Sequence, residues 1–440
     1  MDLSRLDGLR GCGGAGFPAA FKWNAVREEP LVGTPETGGG KVIVCNADEG
    51  EPGTFKDGWL FREQPEVVLR GMQRAAEFAG AGRGYVYLRP EYVEQLAFLK
   101  TAIANLVSAG VLSEGSGAVW AGSGFAGRPA QPHDTGLDDV ALSALDWFVE
   151  HGAQGLQGEV TEHGGLATGH AFGEGLSSPL APRCSDPIAP ASSTGFAFRV
   201  DICIGGGAYI CGEETALLES MEGRRPQPRH KPPFPTQSGL WGLPTLMNNV
   251  ETFWWAERLL SGEFKGEGGA HRLYSLSGDV NQPGVYEAPV GITARELVDQ
   301  FGGGVKEGAS VACWIPGGAA TGVLPGHLLD TPLSSEGLKE VGTAPGTAAV
   351  VIFANRDPRD VAASIMTFFA QESCTQCTPC RLGCRAVASW LSGSSAFPDA
   401  DTEERWLESM ELGSICGLGF TAPLVLRLWR RWFSESGVTV

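Results

Sequence analysis

Apolar residues recur along the chain in two rhythms, and the rhythms alternate. Residues 41–45 form a short run, Val-Ile-Val-Cys after Lys41, which predicts a buried parallel strand. Residues 65–80 carry Val67, Val68, Met72, Ala75 and Ala76 at helical spacing behind Pro65, a favoured first-turn residue. A second short strand is expected at 85–88. A second helix is expected at 91–112, with Val93, Leu96, Leu99, Ile103 and Leu106 on one face. Strand, helix, strand, helix predicts an α/β domain. Residues 196–204 place Phe, Phe, Val, Ile and Ile at every second position, the pattern of a half-buried strand.

Further along, strands at 273–276, 311–315 and 347–353 and a helix at 294–301 predict a smaller α/β module. Nothing in it looks catalytic, and it reads as a spacer. From Asp360 the pattern is helical at 361–369, 385–391, 403–412 and 423–433, with the cysteines of that region expected in loops between helices. Residues 113–194 differ. They are rich in Gly, Ser, Ala and Pro, with one expected helix at 138–151, and read as a surface insertion. His133, His151, His163 and His170 lie there with Cys184, but their spacing matches no metal motif.

Length and charge narrow the class. A chain of 440 residues is expected to hold about two to four domains. The net charge of −18 argues against a nucleic-acid or anionic-membrane surface. No apolar run reaches the roughly 18 residues that a membrane span needs, and Met1-Asp-Leu-Ser-Arg-Leu lacks a signal-peptide core. The expectation is a soluble cytoplasmic protein. Cys45, Cys203, Cys211 and Cys313 sit in apolar or glycine-rich stretches and are expected as buried thiols.

The strongest chemical signal is Cys374-Thr-Gln-Cys377-Thr-Pro-Cys380, with Cys416 further on. Three cysteines on one tight segment and one at a distance is a pattern that holds a cubane 4Fe–4S cluster. Four thiolates also suit zinc, although zinc knuckles tend to use two Cys-x-x-Cys pairs. Weaker signals precede it. Gly8 to Trp23 holds five glycines and Lys22, which can cradle an anion or form a plain tight turn. Asn46-Ala-Asp48-Glu49-Gly-Glu51 follows a strand end, where α/β sheets bind ligands, yet also reads as a solvated acidic turn. Glu213 and Glu214 start a helix after Gly205-Gly-Gly-Ala-Tyr-Ile-Cys-Gly212, where they can cap the helix or accept from sugar hydroxyls. Arg229-His-Lys231-Pro-Pro-Phe234-Pro is a stiff loop presenting a cation and a ring, and Asn248-Asn249 closes the segment.

Taken together, Gly11-Cys-Gly-Gly-Ala-Gly-Phe17-Pro, Asn46-Ala-Asp-Glu-Gly-Glu-Pro-Gly, Gly207-Ala-Tyr-Ile-Cys-Gly-Glu-Glu-Thr-Ala, Arg229-His-Lys-Pro-Pro-Phe-Pro and the cysteine triplet carry a resemblance. The chain resembles the FMN- and NADH-binding F-type subunit of NADH:quinone oxidoreductase. The same subunit type occurs in NAD-linked formate dehydrogenases, NAD-reducing hydrogenases and electron-bifurcating enzymes. The resemblance spans the chain apart from residues 113–194. It implies a Rossmann-like FMN domain (1–244), a ubiquitin-like β-grasp module of SLBB type (245–342) and a C-terminal four-helix bundle (343–440) with one 4Fe–4S cluster.

The resemblance also implies roles. Gly11, Gly13, Gly14 and Lys22 would cradle the FMN phosphate and ribityl chain. Asn46, Asp48, Glu49, Gly212, Glu213, Asn248 and Asn249 would complete the flavin pocket. Phe17 and Phe234 would sandwich the NADH adenine, with Glu51, Glu214 and Lys231 positioning the dinucleotide. Cys374, Cys377, Cys380 and Cys416 would hold the cluster, with Cys384 as a competing ligand. Hydride would pass between nicotinamide and flavin without a general base, and electrons would pass singly to or from the cluster. The implied partners are a thioredoxin-like 2Fe–2S subunit and a larger iron–sulfur or catalytic subunit, through which the chain would lie beside the inner membrane.

There are departures. Cys12 stands where the family usually has arginine, which removes a charge and adds a thiol open to oxidation. Asn24 and Ala25 stand where a second aromatic is usual, with Phe21 close by. Thr375 replaces a usual glycine, and Phe420 an acidic residue. The flavin loop begins almost at Met1, without the family's upstream segment, and the insertion is long. These departures lean towards a specialised complex such as an NAD-linked formate dehydrogenase. The competing reading is a structural subunit whose NADH site is impaired.

Overall fold

The computed structural model describes residues 2–31, 40–122, 195–306 and 310–434. The helix expected at 138–151, with His133, His163, His170 and Cys184, lies outside them. The first unit is a parallel five-stranded sheet. Its strands are β1 (Val42–Ala47), β2 (Arg83–Leu88), β3 (Val119–Ala121), β4 (Arg199–Ile204) and β5 (Thr245–Asn249), in the order β3-β4-β2-β1-β5. Helices α1 (Ala19–Glu28), α2 (Lys56–Glu63), α3 (Pro65–Ala79), α4 (Val93–Ser108), α5 (Glu214–Met221) and α6 (Val250–Ser261) accompany it.

The strands are buried on both faces. Ile43 and Cys45 join Val86, Ile202 and Leu246 in a core with Val68, Met72 and Phe253 of α3 and α6. Val42 and Val44 join Tyr85, Cys203 and Met247 in a second core with Leu217 and Leu218 of α5. Double burial is why the strand at Lys41 reads as an unbroken apolar run. The expected helix at 65–80 is α3, which has Pro65 in its first turn and ends at Gly80, in the left-handed conformation.

The second unit is a mixed sheet of β6 (His271–Gly278), β7 (Gly284–Pro289), β8 (Val311–Ile315), β9 (Leu324–Pro325) and β10 (Ala349–Ala354), in the order β7-β6-β10-β8-β9. Only β6 and β10 pair in parallel within it. Helix α7 (Ala294–Gln300) begins with a reciprocal capping box of Thr293 and Glu296, and α8 (Ser335–Glu340) follows. Two expected boundaries shift. β5 is hydrogen-bonded to β1 and α6 packs in the first core, so residues 245–261 belong to the first unit and not to the module placed at 245–342. β10 closes the second sheet, so that module runs past 342.

Four helices complete the fold: α9 (Pro358–Glu372), α10 (Thr378–Leu391), α11 (Ala400–Gly413) and α12 (Gly417–Trp429). They share one apolar core that includes Ile365, Phe369, Val387, Met410 and Leu426. The pattern places the cysteines in loops, but α10 starts at Thr378, so Cys380 stands in its first turn. Pro379 is the signal that marks this start. No described helix is long and apolar enough to cross a membrane.

A buried ion pair ties the first two units together. Lys56 and Glu251 are paired at 1% and 0% side-chain exposure. Lys56 Nζ also donates to the Cys12 carbonyl (3.0 Å), and Glu251 Oε1 accepts from Leu273 N (2.8 Å) in β6. Burial pushes the Glu251 carboxyl up, but Lys56 and Arg272 overcome it and the net shift is downward. Replacing Glu251 by Gln leaves Lys56 buried without its main counter-charge. Glu251→Gln should lower unfolding stability by about 3–5 kcal/mol, and Lys56→Met/Glu251→Leu should recover much of it. Urea unfolding checks both. The pair's contribution should hold above the usual glutamate value of 4.5 and fade as pH falls through the lower folded value.

Candidate functional site

The loops that leave the carboxyl ends of β1, β2, β4 and β5 converge on one crevice. At the end of β1, Asn46 Nδ2 donates to the Gly212 carbonyl (2.8 Å) and Asn46 Oδ1 accepts from Asp48 N (3.1 Å). At the end of β5, Asn248 Oδ1 accepts from Trp23 Nε1 (3.0 Å) and Asn249 Nδ2 donates to Asp57 Oδ2 (2.6 Å). The glycine loop is closed by Gly11 N donating to Phe17 O (2.8 Å) and Ala19 N donating to Leu9 O (2.9 Å), and it runs directly into α1. Lys22, in the first turn of α1, pairs with Glu214.

Asp48 is an unsatisfied group of this crevice. Its Oδ2 is buried and has no hydrogen-bond partner among the described residues. Burial, with help from Glu91 and Glu372 and against Arg89, pushes its carboxyl up to about 8. A Cβ on Gly212 would stand 3.2 Å from the Asp48 carbonyl, so this close approach of the two loops favours glycine. A crevice with a glycine loop, a lysine and a buried unpaired acceptor fits a phosphorylated, hydrogen-bonding heterocycle such as FMN.

Glu49 behaves differently from its neighbours. Its carboxylate accepts from Asp57 N (2.9 Å) and Gly58 N (3.0 Å) at the start of α2, and from Tyr92 Oη (2.5 Å). It anchors a helix start, and its oxygens are occupied there. Glu213 is also a cap: its Oε2 accepts from Thr215 N and Ala216 N, both at 2.9 Å, while its Oε1 takes Lys231 Nζ (3.0 Å). The capping reading of Glu213 is therefore correct for one of its oxygens. Cys12 is 6% exposed, its N–H donates to Thr252 Oγ1 (2.9 Å), and burial lifts its thiol to about 12. The expectation of an oxidation-prone thiol is corrected: Cys12 is an interior residue.

Glu51 lies where the first unit meets the second. Its Oε1 accepts from Ala320 N (2.7 Å) and its Oε2 from Tyr209 Oη (2.5 Å). A Cβ on Gly318 would come within 2.6 Å of Glu51 Cγ. The second unit is thus more than the expected spacer, since its loop after β8 holds a carboxylate of the site. Tyr209, quoted in its motif but given no role, is the residue that sequence reasoning missed. Its hydroxyl reaches Glu51, its N–H donates to Glu372 Oε2 (2.9 Å), and its ring packs edge-on to Phe368 (5.0 Å). A lone tyrosine inside a glycine loop was the available signal.

Three phenylalanines stand in the open, Phe17 at 50% and Phe234 at 52% exposure on loops and Phe21 at 64% on α1. Phe17 and Phe21 meet edge to face, 5.5 Å between centroids. Exposed rings beside a crevice offer surface to a flat ligand.

The cysteines form the second centre. Cys374 follows α9, Cys377 is the N-cap of α10, Cys380 lies in its first turn, and Cys416 is the N-cap of α12. Two helix N-termini therefore face this centre, which favours thiolate. Cys374 interacts with Cys377, Cys380 and Cys416 through their charges. Burial lifts Cys416 to about 12, whereas a hydrogen bond from Cys384 brings Cys380 down to about 7. Among the described residues no three His, Cys, Asp or Glu side chains are close enough to share one ion. A cubane takes each cysteine on a different iron, so one loop and two helix starts can supply its four ligands. Thr375 sits at φ +63, where a β-branched residue costs about 1–3 kcal/mol. Tyr209 N donates to Glu372, two residues before Cys374, and the Gly212 carbonyl accepts from Asn46 Nδ2, so the loop after β4 touches both the crevice and the end of α9.

Comparison with known proteins agrees with this architecture. The Nuo51 FMN-binding domain matches residues 5–257, the SLBB domain 273–323, and the NADH-ubiquinone oxidoreductase-F iron-sulfur binding region 360–437. One NADH-quinone oxidoreductase F-type protein of Rhizobium meliloti is 34% identical over 439 residues, covering 97% of this chain and 85% of the relative. The corresponding protein of Mycobacterium tuberculosis is 36% identical over 435 residues, covering 95% and 79%. Among solved structures, an NAD+-reducing NiFe-hydrogenase in the H2-reduced state matches with a TM-score of 0.70 at 30% identity. The match covers 98% of this chain but 61% of that hydrogenase chain. With the fold, the crevice and the cysteine centre in agreement, the chain belongs to the Nuo51 family of FMN-binding, F-type components of NADH-quinone oxidoreductase.

Proposed function

We propose that this chain is the diaphorase subunit of a multisubunit oxidoreductase, with NAD(H) as substrate and FMN and one 4Fe–4S cluster as cofactors. The observation that carries this reading is the shared loop: residues 205–213 line the crevice through Gly212 on one side and bond to Glu372, two residues before Cys374, through Tyr209 N on the other. Bound FMN supplies a hydride acceptor that releases electrons one at a time, so no general base is required.

The chain's own residues bind and orient. Backbone N–H groups of Gly13 and Gly14 and the ammonium of Lys22 would take the FMN phosphate, in the loop that Gly11 closes through its bond to the Phe17 carbonyl. Asp48, with its unpaired oxygen, would accept from the flavin ring, beside Asn46 and Gly212. Asn248, Asn249 and Glu213 hold the frame of the pocket through Trp23, Asp57 and the start of α5. Phe17 and Phe234 present exposed rings for the adenine, while Glu51, Glu214 and Lys231 supply charge along the dinucleotide. Cys374, Cys377, Cys380 and Cys416 would hold the cluster. Cys384 is fully buried one turn after Cys380 and donates to it, which suits a supporting thiol better than a ligand. Partners implied by the family are a thioredoxin-like 2Fe–2S subunit and a larger iron–sulfur subunit, which decides the terminal electron donor or acceptor.

Anaerobic titration with NADH tests the whole reading. The flavin should bleach and a reduced-cluster EPR signal should follow. A flavin that stays yellow with NADH but bleaches with dithionite would mean that the dinucleotide site is impaired. Glu51→Gln should keep the flavin and lower kcat/KM for NADH about tenfold, or about 1.4 kcal/mol, in a ferricyanide-coupled assay. Cys416→Ala should lose the cluster signal, whereas Cys384→Ala should keep it. The reverse result would exchange their roles.

A further inference from the structure

The loop that carries the first cluster cysteine is clamped from the first unit. Arg225 lies beyond α5, far from the helices in sequence. Its Nη2 donates to the Cys374 carbonyl at 3.0 Å and approaches Thr375 Oγ1 at 3.5 Å. Thr375 is the residue held at φ +63. On its other side, Thr375 N donates to Ser373 Oγ (3.2 Å), and that hydroxyl lies 3.5 Å from Cys380 Sγ. The strained turn thus has a partner on each flank, and one of them is a permanent cation.

We propose that Arg225 is a positioning residue for the cluster and that its guanidinium raises the cluster's reduction potential. The proposal rests on the reading that Cys374, Cys377, Cys380 and Cys416 hold a 4Fe–4S cluster. Reduction adds one electron to the cluster, with no bond made or broken. The added negative charge is stabilised by a cation one carbonyl away from a ligand: Arg225 itself is exposed, but its hydrogen bond ends on the carbonyl of the buried Cys374, which carries the charge's effect past the solvent. Cluster potentials respond to nearby charge and to hydrogen bonding of this kind. The same contact holds the backbone of Thr375 in a conformation it would otherwise leave.

The test is an EPR-monitored redox titration of the full chain with its flavin and cluster reconstituted, alongside iron and flavin counts. Arg225→Gln should retain iron and flavin. At a fixed ambient potential its ratio of reduced to oxidised cluster should fall about three- to tenfold, tenfold being about 59 mV for one electron. Arg225→Lys, which keeps the charge, should stay within about twofold of wild type. Thr375→Gly removes the strain without altering charge and should leave the potential unchanged. If Arg225→Gln takes up no iron, Arg225→Gln/Thr375→Gly should restore the cluster and show the same negative shift. A Gln variant with a full cluster and the wild-type potential overturns the proposal, as does a Lys variant shifted as far as Gln. A double variant that still takes up no iron also overturns it. Failure of the wild-type chain to take up iron would instead overturn the cluster reading beneath it.

Discussion

The buried pair of Lys56 and Glu251 is the contact on which the arrangement of the units depends. Lys56 stands at the start of α2 and donates to the Cys12 carbonyl, so it fixes the back of the glycine loop. Glu251 stands in the first turn of α6 and accepts from Trp255 Nε1 (3.1 Å) and from Leu273 N of β6. A glycine-rich loop has little conformational preference of its own. A buried charge pair has a strong one, because every displacement strands a charge without solvent. The loop's position is therefore set from behind, by residues that face away from the ligand.

The site itself is assembled at seams. Parallel strands direct their carboxyl-end loops to one edge, and the crevice forms there. The second unit then closes over this edge, since Ala320 N and Tyr209 Oη divide the two oxygens of Glu51 between them. Thr54 Oγ1 meets Thr347 Oγ1 at 2.7 Å along the same seam. A carboxylate held by two donors from different parts of the chain has few rotamers left, so its position is fixed before any ligand arrives.

The cysteine centre follows the same logic with helices in place of strands. α10 and α12 both begin on a cysteine, so their N-terminal dipoles converge with the loop of Cys374. Tyr209 links this centre to the crevice through Glu372, the last residue of α9. The packed ring of Tyr209 against Phe368 fixes the medium along this link.

Elements and chemistry are legible in the chain read on its own. The apolar runs at Lys41 and Tyr85 announce buried parallel strands because both of their faces are covered. The cysteine spacing announces a cluster because three thiolates on one short segment have few other uses. What those residues face is a matter of packing. Nothing in the spacing distinguishes Glu49, which anchors α2, from Asp48, which keeps an oxygen unpaired; both are carboxylates of one loop, and only packing separates them. Asn248-Asn249 looks like the end of a segment, yet hydrogen bonding to β1 makes the pair the end of a strand. The contacts of Ala320 with Glu51 and of Arg225 with Cys374 span 269 and 149 residues. Local pattern reports a residue's own preference for helix, strand or turn. Which distant donor meets a carboxylate or a carbonyl is settled only when the units pack and every buried polar group must find a partner.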